Sequence, residues 1–468
     1  MVPPIHCSRR QFLHVAGGAL VLIGTGALLS ACGGTASATA GVGASAGGST
    51  AGAATTPGGG GAAAGADVHL LIRNDIKTAY AADPAVAAYT KEFGTKVILD
   101  EPAAGDVTTK IQAAQASGSV IWDGFAVMEV PTATAVWVKR NLIQPLDGFI
   151  AASKVPDAAK VVPGIIPSIL ASTKVDGKQY AIPGNVGSIA LAWLTEPLKA
   201  AGVTTGPQTW DEVYDVAKKV KAAAPNLTPF DSAGTPLCDL HAMIWSASAT
   251  PITPEGLIDI TGQASIEALK WLQKMVGEGL MPPVRSAVGA ATNENFGNWQ
   301  KGGTAMITSF DVAGTIAQKT FGNDKAATGV NMMKTKGQLM AGTPFWVNSC
   351  VVLNKAKNPQ GVTDFFLWWF GPSNKETGKQ ITQVAAKPCY QYTYDEFVKG
   401  NADYAWELSG IEVVRNATPF QANLSNQIER EKAQPWIEKV LDPQQRMDPV
   451  AAMNSALADI KAEIAKQK

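Results

Sequence analysis

Histidine and cysteine, the residues that build most zinc and thiol sites, are scarce in this sequence. Its 468 residues include 4 His and 5 Cys, and neither Cys-x-x-Cys nor His-Glu-x-x-His occurs. A zinc site of familiar spacing is therefore not expected. The phosphate-binding pattern Gly-x-x-x-x-Gly-Lys-[Ser/Thr] is also missing. The sequence thus gives no sign of a metal or a cofactor.

An excess of charge of either sign is missing too. The 39 Lys and Arg residues balance the 39 Asp and Glu residues, so no basic face for nucleic-acid binding is predicted. Hydrophobic residues at 46% and charged residues at 17% are typical of a soluble globular protein, and a chain of this length normally divides into two lobes. Tryptophan is abundant, with 12 Trp against 8 Tyr. Several in a cleft would suit sugars or other apolar-faced ligands.

The N-terminal segment has the pattern of an export signal. Ser8-Arg9-Arg10-Gln11-Phe12-Leu13 is a twin-arginine motif, and an apolar stretch from about Val15 to Leu29 follows it. That stretch is short for a membrane span, which favours a removable signal of residues 1–31. Leu29-Ser30-Ala31-Cys32 resembles the lipobox of bacterial lipoproteins. The resemblance implies that Cys32 becomes a lipidated N-terminus, and the twin-arginine motif implies export of a folded protein.

Residues 32–66 have the composition of a tether. They are almost entirely Gly, Ala, Ser and Thr, without charged or aromatic residues, so they would hold a folded body away from the membrane. If Cys32 is lipidated, Cys238, Cys350 and Cys389 remain. At most one disulfide could then form, and buried, reduced thiols are the better interpretation.

The folded body begins near Asp67 with alternating strand and helix patterns. This alternation predicts an α/β protein with parallel strands and helices on both faces of the sheet. Ligands bind at the carboxyl ends of such strands, which places Arg73, Asn74 and Glu129 in candidate loops. Thr209 and Glu212 form a capping box at the start of a later helix. The predicted elements are strands at Val68–Ile72, Lys96–Leu99 and Val120–Val127, and helices at Ala85–Phe93 and Val107–Ala116.

Five short motifs then follow one another along the chain: Leu142-x-x-Pro145-Leu146-Asp147; Asp176-Gly177-Lys178-x-Tyr180-x-x-Pro183; Ala201-Gly202-Val203 with Thr209-Trp210-Asp211-Glu212; Trp299-x-x-Gly302-x-x-Ala305-Met306; and Asn354-x-Ala356-Lys357-Asn358 with Phe365-Phe366. In this order they resemble the extracellular solute-binding proteins of family 1, the carbohydrate-binding components of ATP-driven importers. The resemblance extends from about Asp67 to the C-terminus. It departs from the family at Trp193-Leu194-Thr195, where Tyr-Asn-Lys is usual.

This resemblance implies a two-lobe, periplasmic-binding-protein-like fold of type II, with crossover strands as the hinge. Crossings are expected at Ile182–Ser188, near residues 334–342 and near residues 385–394. Lobe 1 would then comprise residues 67–184 and about 336–388. Lobe 2 would comprise residues 185–335 and about 389–468. A ligand that contacts both lobes would stabilise the closed state, which a permease recognises.

Sugar hydroxyls favour planar polar side chains, and the faces of sugar rings favour aromatic side chains. For Trp245 and Trp346, packing in the core is an equally good interpretation. The residues expected to bind ligand are Arg73, Asn74, Glu129, Asn185, Trp245, Ser309, Phe310, Asp311 and Trp346.

The leading hypothesis is therefore a monomeric, lipid-anchored, extracytoplasmic binding component of an ABC importer, without enzymatic activity or nucleic-acid partner. Its ligand would be a carbohydrate or a related polyol. One alternative is a secreted glycosidase-like enzyme, in which Glu129 and Asp311 would be the paired carboxylates that such chemistry requires. Another keeps the fold but binds a peptide or other small polar solute.

Overall fold

One mixed β-sheet runs through both halves of the computed structural model. The structure describes residues 67–72, 77, 81–101, 107–130, 134–232, 236–283, 290–310, 320–322, 324–328, 332–383, 387–401, 405–420 and 425–466. The predicted signal, Cys32 and the tether lie outside these ranges. Seven strands follow the order β2-β1-β3-β10-β6-β8-β7, while β9 and β11 also pair with β6. The strands are β1 Val68–Ile72, β2 Val97–Asp100, β3 Gly124–Val130, β4 Lys174–Val175, β5 Lys178–Gln179, β6 Ala181–Leu194, β7 Thr228–Ser232, β8 Thr304–Phe310, β9 Ala326–Thr328, β10 Phe345–Val352 and β11 Lys387–Pro388.

Helices alternate with the strands along most of the described chain, as the sequence pattern predicts. A π-helical turn, Tyr394–Val398, directly follows α14. The helices are α1 Ala82–Phe93, α2 Val107–Ala116, α3 Thr134–Lys139, α4 Asp147–Ala152, α5 Ala158–Gly164, α6 Pro167–Ser172, α7 Thr195–Ala200, α8 Trp210–Ala223, α9 Pro236–Ala247, α10 Gln263–Gly277, α11 Ala290–Gln300, α12 Pro359–Phe370, α13 Lys375–Gln383, α14 Gln391–Thr393, α15 Ala405–Arg415, α16 Ser425–Leu441 and α17 Pro449–Lys466.

Local sequence signals account for several of these boundaries. The capping box before α8 is confirmed: Glu212 N–H donates to Thr209 Oγ1 over 3.1 Å, and Thr209 N–H donates to Glu212 Oε2 over 3.2 Å. Asp176 and Gly177, both with positive φ, form the two-residue loop between β4 and β5, as an Asp-Gly pair favours in a hairpin. Asn141, with a φ of 54°, follows α3 in the left-handed region.

Strand β6 crosses from one half of the molecule to the other. Its first part pairs with β10, up to Ser188 opposite Phe345. Its second part pairs with β8, from Ile189 opposite Phe310 onward. This is the crossover strand that the sequence predicts at Ile182–Ser188, and its partners change between Ser188 and Ile189.

Two large hydrophobic cores lie on either side of this crossing. The first core contains buried residues between Val68 and Val186 and between Phe345 and Ala417. Trp346 lies within the second range but does not belong to this core. The second core gathers residues from Ile189 to Met332, then Ala341, Trp346 and a C-terminal set from Phe420 to Ile460. A smaller cluster, which includes Ala192 and Leu194 of β6, packs separately from the second core. The alternation of side chains along β6 explains why Ile189 and Leu191 belong to one cluster and Ala192 and Leu194 to the other.

The chain returns to the second core later than the sequence predicts. A crossing was expected near residues 385–394, but Cys389, Tyr390 and Tyr394 pack in the first core. Tyr390 stacks on Phe370 with ring centroids 6.4 Å apart. Within the described residues, the change of core comes after Ala417. Residues 387–388 form strand β11, which pairs with β6, and the chain does not pass to the second core there.

Candidate ligand-binding cleft

The carboxyl ends of strands from the two halves face each other across β6. Strand β3 ends at Val130, opposite Val347 of β10, and Val347 in turn lies opposite Val186 of β6. Strand β8 runs the other way and reaches Ile189 of β6 at Phe310. Since a strand rises roughly 3.3 Å per residue, Val186 and Ile189 are about 10 Å apart along β6. This exchange of partners is a topological switch point, the place where open α/β sheets bind ligands.

Most of the predicted lobe loops lie outside the described residues. Arg73, Asn74 and Asp311 have no described placement, and Glu129 and Phe310 are described by their backbone alone. That backbone places Glu129 opposite Asn348, and Phe310 opposite Ile189, at the two strand ends. The role of these five residues therefore stays a prediction.

Asn185 lies on the crossing strand and is paired with a residue that the sequence analysis missed. Asn348 Nδ2 donates to Asn185 Oδ1 over 3.1 Å, and the two residues are direct cross-strand partners. Both are half-buried, whereas their neighbours Val186 and Val347 are fully buried in the first core. The amide pair thus lies on the more open face of the crossing, where it can donate to and accept from hydroxyl groups. Only the register of β10 identifies Asn348 as the partner of Asn185.

The two tryptophans among the candidates lie in an aromatic cluster of the second core. Trp346 is 4% exposed, and its ring centroid lies 5.3 Å from that of Phe420. Trp245 is fully buried, lies 5.0 Å from Phe420, and donates its indole N–H to Thr418 O over 2.8 Å. In this conformation both residues make the core packing that was the alternative interpretation. Neither offers a free ring face, so their binding role stays a prediction.

Ser309 lies at the end of β8 and is 4% exposed. A buried polar cluster, which the sequence does not predict, lies beside it. Thr308 Oγ1 donates to Asp239 Oδ1 over 2.9 Å. Asp231 Oδ1 accepts from Ser232 N–H over 2.8 Å and from Asn295 Nδ2 over 3.1 Å. Asp231 and Ser232 end β7, and a search for polar residues at strand ends could have found them.

The buried carboxyl of Asp239 has an altered acidity. Burial raises its pKa to about 7, and the charge of Asp231 acts in the same direction. Hydrogen bonds from Ser232 and Thr308 oppose this rise only in part. The wall of the second half of the molecule therefore contains one carboxyl group that titrates near neutral pH.

Elsewhere in the described ranges, no group of three or more His, Cys, Asp or Glu side chains is arranged to hold a metal ion. Cys238, Cys350 and Cys389 are buried, and none of the three forms a disulfide in the described part of the chain. None of the described helices combines the length and the apolar character needed to span a bilayer.

Two α/β halves whose strand ends oppose each other across a shared crossing define a hinged, two-lobe binding protein. The chain belongs to the family of bacterial extracellular solute-binding proteins, which it matches over residues 84–386. This confirms the family that the sequence motifs indicate.

Curated relatives are similar over part of their length. A Deinococcus radiodurans protein named as an ABC transporter-binding protein is 23% identical over 256 residues, which is 51% of this chain and 59% of the relative. A binding protein of Brucella abortus is 26% identical over 151 residues, which is 31% of this chain and 35% of the relative. The chain thus spans less than two thirds of either protein.

Solved structures share the fold over nearly their whole length. The sugar-binding protein MalE of Xanthomonas citri superimposes with a TM-score of 0.70 at 16% identity, covering 86% of this chain and 98% of that one. The cyclic alpha-maltosyl-1,6-maltose binding protein of Arthrobacter globiformis gives a TM-score of 0.68 at 16% identity, with 85% and 98% covered. At these identities the similarity shows the fold, and it confirms the predicted two-lobe type II architecture.

Proposed function

We propose that this protein is the extracytoplasmic binding component of an ABC importer and captures a carbohydrate or related polyol without altering it chemically. The observation that carries the proposal is the pair of opposed strand ends on β6, with Asn185 and Asn348 on the open face between them. The proposal is supported by the family match and by the names of the two structural neighbours, which are a sugar-binding protein and a cyclic alpha-maltosyl-1,6-maltose binding protein. The chain would act as a monomer and deliver its ligand to permease subunits.

The proposal extends to the lobes. Lobe 1 would comprise residues 67–184 and about 342–417, and lobe 2 residues 185–341 and 418–468. The last two boundaries differ from the sequence expectation because buried residues change core near Ala341 and after Ala417. Binding residues would be Asn185, Asn348 and Ser309 among those described, with Arg73, Asn74, Glu129, Phe310 and Asp311 supplied by the strand ends and their loops. Trp245 and Trp346 would support the cleft from the second core.

A thermal-shift screen of monosaccharides, disaccharides and oligosaccharides tests this function. A ligand at 100 times its dissociation constant stabilises the folded state by about 2.7 kcal/mol, which is readily detected as a higher midpoint. Calorimetry should then show saturable binding, weaker in Asn185→Ala than in Asn416→Ala, which removes an exposed amide directly after α15. Release of a cleaved product during incubation would replace this proposal with the glycosidase-like alternative. Binding of peptides alone would change the ligand class.

The same proposal includes the attachment of the mature protein to the membrane. Its support is the order of the twin-arginine motif, the apolar stretch and Cys32 in the sequence. A lipid on Cys32 would anchor the protein, with residues 33–66 as the tether. Fractionation should find the wild type with the membrane and Cys32→Ser released. Equal distribution of the two would contradict lipid anchoring.

A further inference from the structure

A single buried carboxyl group connects the ends of two cleft-facing strands in lobe 2. Asp239, in the first turn of α9, is 3% exposed. Its Oδ1 accepts the hydroxyl of Thr308 on β8 over 2.9 Å, and Ser232 at the end of β7 also hydrogen-bonds to this carboxyl. Strands β7 and β8 are parallel neighbours that both end here, with Ser232 opposite Thr308. One side chain therefore bridges the two strand ends, in addition to their backbone pairing.

The second oxygen of this carboxyl group is unusual. Asp239 Oδ2 is buried and has no hydrogen-bond partner among the described residues. A buried carboxylate oxygen left unpaired is costly, whereas the protonated form carries no net charge into the low-dielectric interior. This arrangement favours a proton on Asp239.

The groups around Asp239 decide which carboxyl holds the proton. Asp231, on β7, accepts two N–H donors through Oδ1, which stabilises its charged form. The facing positions of β8 and α11 contribute the neutral side chains Thr308 and Asn295. On α9 itself, the other titratable residues are Cys238 and His241, and Arg430 of α16 acts on His241. No described cation therefore neutralises Asp239, and its charged neighbour is Asp231.

We infer that Asp239 is a positioning residue of the cleft: its protonated carboxyl group keeps the ends of β7 and β8 together, and its ionisation loosens them. The consequence for ligand rests on the proposed function, because these strand ends carry Ser309 and the loops of lobe 2. The titration itself does not depend on that function. Ionisation would leave a buried negative charge without water and beside Asp231, and its cost is relieved if the strand ends loosen and admit water to the carboxylate.

The direction of the pH dependence follows from this arrangement. Below about pH 7 the carboxyl group is neutral and the two strand ends stay joined. As pH rises through that value, the proton is lost and the lobe 2 wall becomes less ordered. The form with an ordered lobe 2 wall is therefore the form present in mildly acidic surroundings.

Two measurements on the full mature chain without ligand test the inference. Infrared difference spectra between about pH 5 and about pH 9 should contain a protonated-carboxyl band that titrates near neutrality in the wild type and is missing in Asp239→Asn. Hydrogen exchange in β7 and β8, corrected for the intrinsic rate, should accelerate at least about tenfold over the same range in the wild type only. Asp215→Asn, which changes an exposed carboxyl of α8 in the same lobe, should behave as the wild type does.

Each contrary result overturns a defined part of the inference. A wild type without a titrating band, or a band that persists in Asp239→Asn, would show that the proton is not on Asp239. A titrating band with unchanged exchange would remove the positioning role. If Asp239→Asn fails to fold, Asp231→Asn serves instead, because removal of the neighbouring charge should lower the pH at which the band is lost. Since no sugar is added, failure of the carbohydrate proposal leaves the result intact.

Discussion

His241 is a buried imidazole in the aromatic cluster of the second core. It is 4% exposed, its ring lies 5.8 Å from Phe420, and neither ring nitrogen has a partner among the described residues. Burial, with a smaller contribution from Arg430, lowers its pKa to about 3. The folded state thus requires the neutral ring. In the unfolded chain the ring titrates near its ordinary value of about 6.5, so stability is complete above that pH and is lost as pH falls toward 3.

Replacement of this ring should therefore change stability most in acid. His241→Phe keeps an aromatic side chain in the cluster and removes the titrating group. We compare the free energy of unfolding of His241→Phe with that of the wild type at each pH. The variant's value relative to the wild type should be about 2 kcal/mol higher at about pH 5 than at about pH 8. Urea unfolding at the two pH values measures this difference. Trp245→Phe is the control, because it alters the same cluster without a titrating group, and an equal pH dependence in both variants would contradict the argument.

Single residues were predictable where the signal is local. The pairing of Thr209 with Glu212 could be predicted because both partners lie within one helical turn. The Asp239 site could not, because its partners lie on β7 and β8 and meet only in the folded lobe. Asn348 shows the same limit, since its pairing with Asn185 depends on the register of distant strands.

The second and third crossings lie side by side and are tied to α9. Ala341 N–H donates to Trp245 O over 2.9 Å, and Thr418 N–H donates to Ala341 O over 3.0 Å. Gly342 follows with a φ of +80°, and a Cβ there would lie 2.8 Å from Ala417 Cα. The two crossings can approach this closely only because the residue between them has no side chain.

Substitution at this contact should cost more than backbone strain alone. Gly337 has nearly the same φ, +77°, but open space where its Cβ would be. Gly337→Ala should lose roughly 1–2 kcal/mol from the left-handed conformation. Gly342→Ala should lose a further 1–3 kcal/mol or so, because the backbone of the third crossing must move. Denaturant unfolding of both variants measures the difference, and equal losses would show that the crossings are not in firm contact.

Element types were largely predictable, whereas their assignment to a core was not. The pattern from Val107 to Ala116 gave the observed limits of α2, and the alternation of strands and helices predicted the α/β class. The sequence predicts that the segment after β11 belongs to lobe 2, yet its aromatic residues Tyr390 and Tyr394 pack in the first core. An apolar face indicates that a segment is buried, but either core could have accepted Tyr390 or Tyr394.

In the proposed mechanism, the molecule bends where the chain crosses between the two cores of its described part. Because each core would move as a close-packed unit, the rotation would be absorbed by β6 near Ser188 and by the segments at Gly342 and Thr418. A bound solute shifts this equilibrium only through contacts that differ between the open and closed states. Contacts at the ends of both β3 and β8 would meet that condition, because the proposed closure would bring these ends together.

A ligand should therefore reduce the size of the molecule and protect both lobes together. With the sugar that gives the largest thermal shift, we expect a smaller radius of gyration by X-ray scattering and slower hydrogen exchange at the ends of both β3 and β8. A sugar that gives no thermal shift is the matched control and should change neither quantity. Protection of one strand end alone, with an unchanged radius, would mean that the ligand binds one lobe without closure. The hinge would then have no part in capture, and the opposed strand ends would need another explanation.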